Sequence, residues 1–435
     1  MKQPMAGLVL VLAVGCMPAT EPPATDSEVV DSTSAQSEAE RFFTLEEVRD
    51  IHRRFDPTFS EWSRGGDFTR YVYLHMSEFW PQIVLRRNGP IRSLPVDPGA
   101  GIGNVTVSVE AGETTLADYV ENSAVDGALV VHDGRIVFEA YPRMLPTDRH
   151  IWFSVSKTMV STAMAILEDR GRIDVSRPID SYLKPLAGTA WEGIPVIDIL
   201  DMASGIDCPE VQYEPDSCFW AFYDAFGWPE TDQVLADPMN TVAQMSRGAP
   251  SGQVFDYTSV NTEILNGLVE AVSGERFSDF VEREIWRRTG AESDAFITAT
   301  AHGNSFSGGG FSSTLRDLAR YGMLFTPKGR AGGNPVVSDA YLDNIREAGR
   351  PELTTEEQRR WHNEDLGDGS FHHSTRQWDV VTSDGDFFKS GFGGQGLYVS
   401  ASKELVVAWF GTKTAGRMDE MPRIARQLAR SGLFD

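Results

Sequence analysis

Basic side chains are in short supply in this chain of 435 residues: 39 Lys and Arg stand against 63 Asp and Glu, a formal charge of −24. A surface of that sign repels phosphate backbones and anionic headgroups, so nucleic acid is excluded as a partner. Solubility alone accounts for the charge. Histidine and cysteine are also sparse, with 8 and 3 residues. The apolar run Ala6–Val14 is too short to cross a bilayer. No G-x-S-x-G elbow occurs, which argues against an α/β-hydrolase triad. Walker A, dinucleotide and H-E-x-x-H patterns are missing too, so no metal or organic cofactor is implied.

What is present is an ordinary globular composition, 41% hydrophobic and 10% aromatic. Met1-Lys2 and the short apolar run lead into Leu12-Ala13-Val14-Gly15-Cys16, which resembles a bacterial lipoprotein signal. That resemblance implies export, removal of residues 1–15 and lipid on Cys16; Ala13 departs from the usual pattern. The membrane would then be met only through this N-terminal anchor. Residues 16–40 are rich in Pro, Ser, Thr and acidic side chains and lack basic ones, as a flexible spacer does. Cys208 and Cys218 lie in a loop-like stretch with Pro209 and Pro215. In an oxidising compartment they are expected to form a disulfide, since two thiolates without a histidine make a poor zinc site.

Thr44 and Glu47 have capping-box spacing, Phe43 and Val48 staple spacing, and Leu45, Val48, Ile51 and Phe55 share a helical face. Residues 41–104 form an N-terminal extension with no long helix, and residues 105–435 the main domain. Strands are expected at Ala128–Val131 and Ile136–Ala140 around an Asp133-Gly134 turn, and at Gly396–Ser400 and Leu405–Gly411. Helices are expected from about Ser154, after Ser312-Ser313 and near Asp419, and residues from about 192 to 295 read as a mostly helical subdomain. One sheet assembled from distant segments would unite these elements.

Ser154 and Lys157 are three apart, so they stack on one helix face. A serine in the first turn meets the positive end of the helix dipole, and its own N–H can bind an oxyanion. Lys157 can take the hydroxyl proton if burial or other cations lower its pKa. About one or two S-x-x-K matches arise by chance in a chain this long. Ser400-Ala401-Ser402-Lys403 is one, placed at a turn where its side chains are expected to face solvent.

Tyr257-Thr258-Ser259 and Lys389-Ser390-Gly391 follow Ser154-x-x-Lys157 in order. The three motifs resemble the β-lactamase class C, penicillin-binding-protein and esterase superfamily. Asp198–Gly205, Gly308–Ser313 and Ser390–Gln395 extend the likeness, the last pointing to 6-aminohexanoate-oligomer hydrolases and related esterases. The resemblance implies an α/β (α+β) fold, an antiparallel sheet flanked by helices plus the helical subdomain. It also implies acyl-enzyme chemistry on a small ester or amide: Ser154 attacks, and Lys157 and Tyr257 move the proton. The N–H groups of Ser154 and Phe392 bind the oxyanion, while Ser259, Lys389, Ser390 and Gly391 complete the site. Cations near Tyr257 are expected to stabilise its anion or relay its proton.

Ser259 replaces the asparagine usual in the second motif, and Phe392 is bulky. Glu263-Ile264-Leu265-Asn266 falls one residue short of the class A deacylation motif. These departures speak against efficient β-lactam hydrolysis, with D,D-peptidase activity still open. A binding or scaffold lipoprotein without turnover is the alternative from another class. His362, His372 and His373 read as a surface loop. The rings of Phe219, Trp220, Phe222, Tyr223, Phe226 and Trp228 read as core or as walls of an acyl pocket.

Overall fold

Asp133 and Gly134 both adopt positive φ (48° and 73°), as a two-residue turn between right-twisted strands requires. They join the first hairpin of the main sheet. The computed structural model describes residues 43–56, 63–97, 99, 101–210, 217–226, 238–300, 303–331, 334–413 and 419–434. The expected leader, Cys16 and the spacer lie outside these residues.

The strands are β1 (Gln82–Leu85), β2 (Thr106–Val109), β3 (Gly112–Thr115), β4 (Val125–His132), β5 (Arg135–Ala140), β6 (His150–Ile151) and β7 (Ala295–Thr298). They continue with β8 (Phe311–Ser313), β9 (Phe371–Thr375), β10 (Trp378–Thr382), β11 (Phe387–Gly391), β12 (Gln395–Ser400) and β13 (Leu405–Gly411). The main sheet runs β5-β4-β13-β12-β11-β10-β9, antiparallel throughout. It thus joins N- and C-terminal segments. Both faces are covered, which explains why β13 is an unbroken buried run instead of an alternating one. One face packs on the helix Met421–Arg430 and the β2–β3 hairpin, the other on the helical body.

Where one sheet was expected there is a second, of four strands in the order β1-β7-β8-β6. Its strands are two to four residues long and carry too little periodicity to be read in advance. Through β1 the extension joins this sheet, and Ile51, Tyr71, Val72 and Tyr73 enter the main core. The described residues of the extension are therefore woven into the same compact unit as the main domain. The Thr44–Glu47 capping box is present, but Leu45 is exposed, so that helix buries a narrower face than its pattern suggests.

Other expectations shift in detail. The α-helix after Trp152 begins at Lys157, and Ser154 sits in a 3₁₀ turn (Phe153–Ser156) leading into it. Ser400 is fully buried at the end of β12, against the solvent-facing placement expected for it. His362 lies on the helix Glu356–Leu366 and the other two histidines on β9, with His373 buried and its Nε2 2.9 Å from the Ile345 carbonyl. None is in a surface loop.

Candidate active site

The helix Lys157–Asp169 is buried on every side as far as Leu167. A helix buried all round belongs in the middle of a domain, and that position takes the Lys157 side chain out of water completely. Ser154, one turn earlier, stays half-exposed. The residue before it, Phe153, has φ +45°, a left-handed conformation that bulky residues rarely adopt. The segment lies against β11 so closely that a Cβ on Gly391 would come within 2.3 Å of the Trp152 carbonyl oxygen. This is the physical reason for glycine at the third position of Lys389-Ser390-Gly391.

Lys157 Nζ lies 2.9 Å from Ser154 Oγ, 2.8 Å from Ser259 Oγ and 2.8 Å from the Gly308 carbonyl oxygen. Burial pulls its pKa down to about 8; Glu210 opposes this and Lys389 assists it. Gly308 is set by Glu263, whose buried carboxylate accepts from the Gly308 N–H at 2.7 Å and the Ser307 hydroxyl at 2.7 Å. The glycines at 308–310 are places of close approach: a Cβ on Gly310 would meet the Phe306 carbonyl at 2.6 Å.

Tyr257 precedes the helix Ser259–Ser273. Lys389 Nζ donates to its hydroxyl at 3.3 Å, and the Lys157 and Lys389 ammonium groups stand 5.1 and 4.7 Å from its ring centroid. The expected cations are thus beside it, yet its pKa is raised well above 10 by burial, then by Glu210 and Asp379. Burial and these two carboxylates keep Tyr257 a neutral phenol.

Glu210 and Asp379 are the residues that sequence reasoning missed. Glu210 Oε2 accepts from both the Ser259 N–H and the Ser259 hydroxyl, capping a helix whose N-cap Thr258 makes no side-chain bond of its own. It follows Cys208 by two residues, and the structure pairs Cys208 with Cys218 (Cα–Cα 5.3 Å) at the start of the helix Cys218–Phe226. Asp379 sits on β10 opposite Lys389 on β11, one rung from the Val380–Phe388 pair. It ion-pairs with Lys389 and accepts from the Ser390 N–H at 2.9 Å and hydroxyl at 2.6 Å. A charged residue inside a buried strand signals a required partner; nothing local says which.

Ser154 opens into a cleft lined by Phe153, Glu210, Phe219, Trp220, Tyr223 and Phe306, with Ser259, Gly308, Gly309 and Phe392. Phe392 lies just past the end of β11. Three rings of the aromatic cluster therefore wall the cleft, while Phe222 packs in the core. The Phe226 side chain and Trp228 lie outside the described residues.

The hydrogen bonding gives the amine a direction. A neutral Lys157 has two N–H groups and one lone pair. The Gly308 carbonyl can only accept, and the Ser259 hydroxyl proton is committed to Glu210, so both take N–H groups. The lone pair is left for the Ser154 hydroxyl. Such an arrangement can deprotonate a serine at mildly alkaline pH.

The model for the beta-lactamase family matches residues 113–430. A 6-aminohexanoate-dimer hydrolase from Paenarthrobacter ureafaciens is 30% identical over 358 residues, 81% of this chain and 87% of that protein. A structure from Bacillus anthracis, provisionally described as a 6-aminohexanoate-dimer hydrolase, aligns with a TM-score of 0.72 at 23% identity, over 86% of this chain and 98% of that one. EstCE1, a hydrolase with promiscuous acyltransferase activity, aligns at 0.56 with 13% identity over 73% of this chain and 96% of its own. The last two likenesses concern the fold.

Proposed function

The chain belongs to the beta-lactamase family and is a serine hydrolase of it, and on that premise we propose that it cleaves small esters or linear amides through an acyl-enzyme on Ser154. One observation carries this reading: Ser154 Oγ lies 2.9 Å from Nζ of Lys157, a fully buried lysine whose other hydrogen bonds go to the Ser259 hydroxyl and the Gly308 carbonyl.

In the proposed reaction Lys157 takes the Ser154 proton as Oγ attacks the carbonyl carbon. The N–H groups of Ser154 and Phe392 receive the developing oxyanion. Tyr257 gives its proton to the leaving group and is reprotonated from the Lys157–Lys389 side. Water then attacks the acyl-enzyme, the C–Oγ bond breaks, and the acid leaves as the water proton returns to Ser154 Oγ by way of Lys157. Ser390 and Gly391 hold β11 in place through Asp379 and the close approach to Trp152. Phe219, Trp220, Tyr223 and Phe306 favour an apolar acyl group beside Ser154. The similarity to a protein named for a linear amide supports small linear substrates, and the serine at 259 supports these over β-lactams.

The test is intact-mass analysis of the full chain after exposure to a serine-reactive fluorophosphonate, beside Ser154→Ala. A single adduct that vanishes in the variant is the expected result. Labelling that persists in Ser154→Ala removes Ser154 as nucleophile, and an inert folded parent favours a scaffold. We further propose export with lipid on Cys16 and a Cys208–Cys218 bridge in the exported protein. A fatty-acid label retained in Cys16→Ser, or thiols at 208 and 218 alkylated before reduction, would count against them.

A further inference from the structure

The family match begins at residue 113, so the helix Gly66–Leu74 lies outside it, yet this helix packs against Phe153, the residue before Ser154. Tyr73, with no exposure, packs edge-on against Phe153 with ring centroids 4.9 Å apart. The backbone of Gly393 also lies against it: a Cβ there would stand 2.8 Å from both the ring and the hydroxyl oxygen of Tyr73. Phe153 immediately precedes Ser154, and Gly393 immediately follows Phe392. Phe153 and Phe392 also meet edge-on, at 5.5 Å. Tyr73 therefore abuts the neighbours of both backbone donors of the proposed oxyanion hole.

The helix is fixed to the same corner by a shared carboxylate. Arg70, one turn before Tyr73, donates to the buried Asp126 on β4 at 2.7 Å. Asp126 also accepts from the Thr412 hydroxyl. The next residue, Lys413, donates its N–H to the Gly393 carbonyl at 2.8 Å. One anchor thus holds both Tyr73 and the turn it presses on.

From this geometry we infer that Tyr73 is a positioning residue of the oxyanion hole, packed against both Phe153 and Gly393 so that the N–H groups of Ser154 and Phe392 converge on one point. An oxyanion hole stabilises charge only when its donors are preorganised to within tenths of an ångström. A left-handed, non-glycine residue such as Phe153 persists only where the surroundings over-determine it. Replacing the ring by a smaller side chain opens a cavity into which Phe153 can relax. Tyr73 is fully buried and does not line the cleft at Ser154, so its loss is expected to weaken binding of the tetrahedral state and leave ground-state binding alone.

The inference rests on the Ser154 reading, and the experiment separates the two. Tyr73→Phe, Tyr73→Leu and the control Val72→Ala, a buried neighbour on the same helix, are prepared in the full chain. On a p-nitrophenyl ester, Tyr73→Leu is expected to lose about ten- to a hundredfold in kcat with KM little changed. Affinity for a phenylboronic acid, which forms a tetrahedral adduct on serine, falls by the same factor. The acid limb of the pH profile stays in place, because Lys157 is untouched. Tyr73→Phe keeps the ring and remains within about threefold of the parent. If Tyr73→Leu does not fold, Arg70→Met loosens the same anchor and is expected to show the same parallel loss. Unchanged kcat and boronate affinity in the folded variant overturn the inference, as does an equal loss in Val72→Ala at matched thermal stability. A parent inert to fluorophosphonate sinks the Ser154 reading itself; a labelled parent with an indifferent Tyr73 variant sinks only the role of Tyr73.

Discussion

Glu210 and Ser259, 49 residues apart in sequence, are tied by two hydrogen bonds to one oxygen: Oε2 of Glu210 receives the Ser259 N–H at 2.8 Å and its hydroxyl at 2.6 Å. That fixes which way the Ser259 hydroxyl points, and so which way Lys157 can offer its lone pair.

Glu210→Gln is therefore expected to change the pH profile in a defined direction. Lys157 must be neutral to accept the serine proton, so kcat/KM rises with pH through about 8, where burial has brought its pKa. The Glu210 charge favours the ammonium; removing it favours the amine and moves the acid limb to lower pH. The plateau falls, because a carboxamide can donate to Ser259 and turn its hydroxyl proton toward Lys157. The profile on an activated ester measures both. A limb that stays put or moves upward would count against Lys157 as the base.

The three motifs were legible because each is local: one helical turn unites Ser154 with Lys157, and one strand carries Lys389 and Ser390. Chain order then supplied the fold. Glu210 and Asp379 were not legible, since their roles depend on the loop after Ala203 and on the register of β10 against β11. The second sheet was missed for a related reason. β6 and β8 are too short to alternate visibly, and they exist because β6 pairs with β8 and β8 with β7.

Asp379→Asn tests the buried pair. Lys389 is fully buried, and Asp379 is its ion-pair partner. Neutralising one member leaves an uncompensated charge, at a cost of about 3–5 kcal/mol. Burial pushes the Asp379 carboxyl up, but Lys389 and then Ser390 outweigh it and hold the group below its usual range. A depressed carboxyl stabilises the fold above its unfolded-state pKa, and that stability is lost as pH falls through the folded value. Denaturant midpoints should thus drop in Asp379→Asn near neutral pH, with the gap to the parent narrowing in acid. A gap that widens in acid would mean the sign is wrong.

Tyr257→Phe separates two jobs that a tyrosine beside a serine could do. Burial, Glu210 and Asp379 keep the phenol protonated through the working pH range, so it can deliver a proton but is poorly placed to remove one first. Delivery matters only where the leaving group needs it. A p-nitrophenolate departs as the anion, whereas an amine must be protonated as the C–N bond breaks. For one acyl group presented both ways, Tyr257→Phe should slow single-turnover acylation by about tenfold with the p-nitrophenyl ester and by about 10²–10⁴-fold with the amide. Lys157→Met should abolish both alike, because each begins with the serine proton. Equal losses for ester and amide in Tyr257→Phe would place the tyrosine on Ser154 instead, and its raised pKa would then have to fall when substrate enters the cleft.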